Sequence, residues 1–231
     1  GARVENQPFF GYGPKKRCVV ELARHDWILS LDADERLDDG AAAAVRLLAL
    51  DDPTASYAFR RRTFVGRREI HHGPWGGEQV VRLFNRRTGE ITALAVHERV
   101  VAPGQPRLLA GSILHHGFPT AADIILRAVR YAHPKAGLIR AAGERPRVWA
   151  LPWRAAGAFA KAYVLQSGWR DGAAGFVIAL SRVVDSTLPR ALLLLGDDPA
   201  TPDQTPRTAA SKAAMSAGSG ASNASRSPDA G

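Results

Sequence analysis

The chain has 231 residues, 45% of them hydrophobic, and a formal net charge of +9 from 31 Lys and Arg against 22 Asp and Glu. That is enough apolar material for a folded core, and no uncharged stretch approaches the roughly 20 residues that a bilayer-spanning helix needs. A single cysteine, Cys18, excludes an internal disulfide and fits a reducing compartment, and the opening "GARVENQPFF" shows no secretory leader pattern.

In chain order, "KKRCVVELARH" (15–25) has helical spacing, with Val19, Leu22 and Ala23 on one side. The strand "WILSL" (27–31) follows, then a second helix, "AAAAVRLLAL" (41–50), with Asp38 or Asp39 as its N-cap. Helix, strand and helix in so short a span predict a layered α/β unit with a parallel strand. Next come two β-rich runs, "SYAFRRRTFV" (56–65) and "EQVVRLFNRRTGEI" (78–91), the second turning as a hairpin at "NRRTG". From 118 the pattern becomes helical: Thr120 and Asp123 form a capping box ahead of the apolar stripe Ile124, Ile125, Ala128 and Tyr131. Residues 149–196 read as two or three amphipathic helices broken at "SGWRDG" and Pro189. The remainder has almost no large apolar residue and is expected to be disordered. Three zones result: 1–118, 119–196 and 197–231.

The strand "WILSL" ends in "DADER", and a carboxylate cluster after a buried strand either lies in water or holds a cation. Ligands gather at the C-terminal ends of strands in open α/β sheets, where Asp32 and Asp34 fall. Two residues apart in extended chain, they point the same way with Cα atoms roughly 6 to 7 Å apart, which suits one divalent cation. The alternative is an ordinary acidic turn continued by Asp38 and Asp39. Two other motifs fit poorly: a dehalogenase-type phosphatase wants Thr or Val where Arg36 stands, and an EF-hand loop wants Gly where Leu37 stands.

The segment "FFGYGPKKRCVVELARHDWILSLDADERL" resembles the DxD region of family 2 glycosyltransferases, in particular the bacterial lipopolysaccharide-core group of β-glucosyltransferases acting on heptose. "WGGEQVVRLFNRRTGEITALAVHERV", "SILHHGFPTAADIILRAVRYA" and "FAKAYVLQSGWRDGAAGFVIAL" match in the same order. The resemblance implies a partial GT-A fold, α/β, followed by C-terminal amphipathic helices and a disordered tail. It also implies a UDP-sugar donor, UDP-glucose, and a divalent cation, Mg²⁺ or Mn²⁺, bridging the diphosphate. On this reading Asp34 coordinates the metal, and Asp32 contacts the ribose or a metal-bound water. An inverting transferase needs a base for the acceptor hydroxyl, and Glu98 in "AVHERV" is the candidate, with His97 as its polar neighbour. His115 would complete the metal or diphosphate site, and Arg82 would contact phosphate or acceptor. Trp75, beside His71 and His72 in a loop expected to be mobile and to face the acceptor, offers a stacking surface for a sugar.

The first βαβ half of such enzymes, with its uracil-binding strand end, has no counterpart in this sequence. The isolated chain is therefore expected to bind UDP-sugar poorly, and an inactive remnant is an alternative reading. Between 127 and 170, nine Lys and Arg oppose Glu144 alone and alternate with Trp149, Trp153, Phe159 and Trp169. This predicts basic amphipathic helices on an anionic membrane surface, which suits a lipid-linked saccharide acceptor at the inner face of the bacterial cytoplasmic membrane. Nucleic-acid binding by the same residues is the weaker alternative, since no recognisable module accompanies them.

Overall fold

The computed structural model describes residues 4–6, 12–92 and 99–197, which belong to one compact unit ending at Asp198. The first helix, α1 (Tyr12–Glu21), leads to β1 (Trp27–Leu29), β2 (Glu35–Leu37) and α2 (Asp39–Arg46). Then follow β3 (Ser56–Val65), β4 (Arg68–Ile70), a 3₁₀ turn (Gly73–Trp75), β5 (Gln79–Asn85), β6 (Glu90–Ile91), β7 (Val100–Val101) and β8 (Arg107–Phe118). The C-terminal part is helical: α3 (Ala121–Arg130), α4 (Ala132–Ala141), α5 (Ala150–Phe159), a π-helix (Ala160–Leu165), a 3₁₀ turn (Gly168–Asp171) and α6 (Gly172–Leu195). The expected α/β architecture with trailing helices is borne out.

The main sheet has the order β1-β5-β3-β8-β2, with β4 added to β3. Its parallel pairing is β3 with β8; β1, expected as a parallel strand, instead pairs antiparallel with β5, Trp27 opposite Asn85. The turn at "NRRTG" forms, with Gly89 N donating to Asn85 O at 2.8 Å, but no hairpin closes on β5. The following strand β6 pairs with β7 in a separate two-stranded ribbon. α1 ends at Glu21, short of the expected His25, because Arg86 reaches across to its C-terminus and donates to the carbonyls of Val20 and Ala23.

Asp38 is the N-cap of α2, as expected: its carboxylate accepts from Ala41 N at 2.8 Å and also from Ser112 N at 3.0 Å, which ties the helix to β8. Gly111, at φ +79°, makes this approach possible; a Cβ there would strike Ala41 N and Asp38 Oδ1. Asp123 accepts from Thr120 N at 2.8 Å and closes the predicted box at α3. Pro189 does not break α6, which runs through it fully helical. Arg190 Nη1 donates to Ser186 O at 2.8 Å beside the missing amide, and α6 is packed along its length by α3, α4 and α5, so tertiary contact outweighs the local cost.

One sheet face changes chemistry along its length. Side chains two apart in a strand share a face, so Phe59, Arg61 and Thr63 of β3 line up with Ile113 and His115 of β8 and with Leu37 and Glu35 of β2. At the apolar end, Phe59, Ile113, Tyr57 and Leu83 pack under α2 with Ala41 and Val45. At the polar end no α2 residue covers the row, and a second core of Ile70, Phe118, Ile124 and Ile178 joins the sheet to α3 and α6. A cleft is left between the polar row and the helices.

Candidate functional site

The cleft has a volume of about 1010 Å³ and brings Asp32, Asp34 and Arg82 together with His115, from positions up to 83 residues apart. Asp32 and Asp34 sit on the turn between β1 and β2. Their environments differ. Both oxygens of Asp32 are engaged, by Lys16 Nζ at 2.7 Å and Arg82 Nη2 at 2.9 Å. Burial alone would raise its carboxyl, but the Lys16 hydrogen bond and the charge of Arg82 outweigh it and hold Asp32 below the usual range.

Asp34 Oδ2 lies 3.4 Å from His115 Nε2 and 3.8 Å from Arg127 Nη2, and its side chain opens to the cleft. Gly117 makes this meeting possible, because a Cβ on it would come within 2.5 Å of His115 Nε2 and 2.6 Å of Asp34 Oδ2. His115 does not end its strand, as "GSIL" followed by His suggested; β8 continues to Phe118. The ring is buried in the middle of the sheet, with Nδ1 3.4 Å from Thr63 Oγ1. Burial, and then the charge of Arg61, push the imidazole below its ordinary pKa, which favours the neutral ligand-competent form.

Glu35 was not singled out among the site residues in the sequence, yet it anchors the charge network. Its side chain is fully buried, receives Arg82 Nη2 at 2.6 Å, and has Arg61 Nη1 at 3.6 Å. Arg61 in turn forks onto Glu78 at 2.6 and 3.2 Å. The alternation in "RRRTF", which places Arg61 on the face opposite Arg60 and Arg62, is the sequence signal that points to it. Arg82 is thus held by two carboxylates, and these keep its guanidinium above its ordinary pKa against the opposing effect of burial; its buried Nε has no acceptor.

Trp75 lies in the cleft wall, stacked on Phe118 with centroids 4.7 Å apart and planes at 13°, while the Arg127 guanidinium sits 4.4 Å from the same ring. His71 and His72 are not among the residues that line the cleft. Their backbone amides donate to Asp171, His72 N at 2.7 Å, so the loop is latched to the turn before α6. Glu98 and His97 lie outside the described residues, as does the tail expected to be disordered. The chain leaves and rejoins the described residues around them at Thr92 and Arg99, which are joined by Thr92 N to Arg99 O at 2.9 Å, and Arg99 and Val100 line the cleft.

No family model matches the chain. Over 197 residues it is 30% identical to "Lipopolysaccharide core biosynthesis glycosyltransferase LpsC" of Rhizobium meliloti (strain 1021), covering 82% of this chain and 71% of that protein. The chain belongs to the glycosyltransferases.

The divalent cation expected from the sequence can be set against the donors present. Among the described residues, no three His, Cys, Asp or Glu side chains converge as a metal cage. In this glycosyltransferase, Asp34 and His115 nevertheless form a compatible pair: an open carboxylate beside a neutral imidazole, with space kept by Gly117. Two protein ligands suit Mg²⁺ or Mn²⁺, which take most of their remaining oxygens from water and phosphate. Among the described residues, no helix of the glycosyltransferase is long and apolar enough to cross a membrane.

Proposed function

We propose that this glycosyltransferase is a family 2, GT-A-type, inverting hexosyltransferase that moves glucose from UDP-glucose to a lipopolysaccharide-core or similar glycolipid acceptor. The observation that carries the reading is the Asp34–His115 pair at 3.4 Å on the wall of a cleft large enough for a nucleotide sugar. Asp34 and His115 would hold the cation. When bound, it stabilises the charge growing on the nucleoside diphosphate as the glycosidic bond breaks. Asp32 and Glu35 fix Arg82 on the cleft wall through Nη2, so that Nη1 is left for a phosphate oxygen, which removes an ordering cost at the moment of binding. Asp32 is also within the chemistry of a ribose hydroxyl, once Lys16 shifts.

Glu98, the residue before Arg99 in the sequence, would take the proton from the attacking acceptor hydroxyl, with His97 as its polar neighbour. The acceptor's lipid end would lie at an anionic membrane surface. Its supports are Trp149, Trp153 and Trp169, all exposed, set among Arg147, Arg154 and Arg170 on the helical side. The role in lipopolysaccharide core biosynthesis that the Rhizobium meliloti relative is named for supports the choice of acceptor class.

The test is genetic and chemical. Deleting the encoding gene in the host bacterium is expected to remove one hexose from the lipopolysaccharide core, read by mass spectrometry. The wild-type gene restores it and Asp34→Ala does not. A core unchanged by deletion, or full restoration by Asp34→Ala, overturns the proposal.

A further inference from the structure

A second cavity, about 430 Å³ in volume, lies on the helical side, walled by α4, the π-helix and α6, with Pro74 at its rim. Its lining carries Lys135, Lys161, Arg182 and Arg190, and among those lining residues Asp185 is the acidic one. Asp185 accepts from Lys135 Nζ at 2.6 Å and from Arg182 Nη1 at 2.8 Å. Just outside, Glu144 accepts both prongs of Arg190, at 2.8 and 2.9 Å, and Arg154 at 3.0 Å. Two carboxylates therefore face Lys135, Arg182, Arg190, Arg154 and Lys161, and Lys161 takes part in none of the ion pairs formed among the described residues.

This excess of positive charge is built into a shaped space. Lys135 and Arg190 are largely withdrawn from water, with 18% and 15% of their side chains exposed, so their unused N–H groups favour an anionic acceptor over solvent. Lys161 and Ala162 come from the π-helix, a rare local winding found most often where a helix serves a site. The carbonyl of Gln166, next in the chain, accepts from Gly73 N at 2.8 Å and fixes the rim loop that carries Pro74 and Trp75. Lys135, Arg182 and Asp185 line both this cavity and the cleft that holds Asp34, so the two spaces meet across this ion triad.

We propose that this cavity is an anion subsite that takes the phosphate or carboxylate of the saccharide acceptor while the acceptor hydroxyl reaches the neighbouring cleft. That the anion is carried by an acceptor sugar rests on the glycosyl-transfer reading; the site itself rests on its cations. A lipid headgroup offers the same chemistry, but none of the exposed Trp149, Trp153 and Trp169 lines the cavity, and its wall is shared with the cleft.

The probe is inorganic pyrophosphate, titrated calorimetrically into the metal-free protein, with amide shifts of Ala160–Gln166 followed by NMR. The parent is expected to bind, and Lys161→Gln and Arg182→Gln to weaken binding about tenfold each, the size of one charge-assisted hydrogen bond. Arg46→Gln, which removes an exposed charge at the end of α2 and outside the cavity, leaves binding as in the parent. Equal binding by the parent and Lys161→Gln, equal weakening by Arg46→Gln, or no pyrophosphate binding by the parent would overturn the subsite. The two readings fail separately. A deletion strain with an unchanged core, alongside Lys161-dependent pyrophosphate binding, removes the acceptor assignment and leaves an anion site. Hexose transfer without that dependence removes the subsite alone.

Discussion

Two aspartates separated by a single alanine have been given opposite surroundings. Asp32 is neutralised by Lys16 and Arg82, and Asp34 faces the cleft beside a neutral His115. Gly117 keeps that second pair open, so Gly117→Ala is expected to push the imidazole and carboxylate apart. Weaker Mn²⁺ uptake at an unchanged urea midpoint would bear this out; unchanged uptake would refute it. Arg82→Met leaves the fully buried Glu35 with the Asp32 amide and, as its nearest cation, the more distant Arg61, and is expected to cost about 3 kcal/mol, the low end for breaking a buried pair, in urea unfolding. Glu98→Gln is expected to lower transfer between about a hundredfold and ten-thousandfold, the range for a general base, in an assay with UDP-glucose and isolated core glycolipid. Activity equal to the parent would remove Glu98 from the reaction.

At the scale of elements, a single carboxylate ties the loop after β4 to the helical half. Asp171, in the turn before α6, accepts from the amides of His71 and His72. Burial would raise its carboxyl, and these hydrogen bonds outweigh it and hold it below the ordinary value of 3.8. A depressed folded-state carboxylate contributes stability that is whole above that value and is lost as pH falls toward the folded one. Asp171→Asn is therefore expected to destabilise by about 2 kcal/mol at neutral pH, as for hydrogen bonds to a charged group. It should also flatten the decline of the urea midpoint below pH 4. A variant with the parent's acid profile would show that the latch carries no charge-dependent stability. Local signals located the caps of α2 and α3 correctly because Asp38 and the Thr120–Asp123 box act within one turn. They misjudged the "NRRTG" hairpin and Pro189, where β5 takes the distant β1 and β3 as its partners and α6 is supported by α3, α4 and α5.

For the whole molecule, the positive charge is unevenly used. On the sheet side, Arg61, Arg82 and Arg86 are tied into carboxylates and helix-end carbonyls, whereas the helical side keeps an excess around its second cavity and its exposed tryptophans. Trp153→Ala is expected to reduce sedimentation with phosphatidylglycerol vesicles, and raised salt to reduce it further, since both the indole and the basic residues contribute to the interface. Equal sedimentation of variant and parent at all salt concentrations would rule out this face. Residue order alone carried the α/β class, the position of the acidic turn after its strand, and the pairing of basic with aromatic residues, because alternation, capping and composition are local properties. The burial of Glu35, the division of labour between Asp32 and Asp34, the space beside Gly117 and the junction of two cavities at Lys135, Asp185 and Arg182 depended on which strands and helices came together. Charge balance and desolvation are set by neighbours in space, and those neighbours lie up to 100 residues apart in the chain, as His71 and Asp171 do.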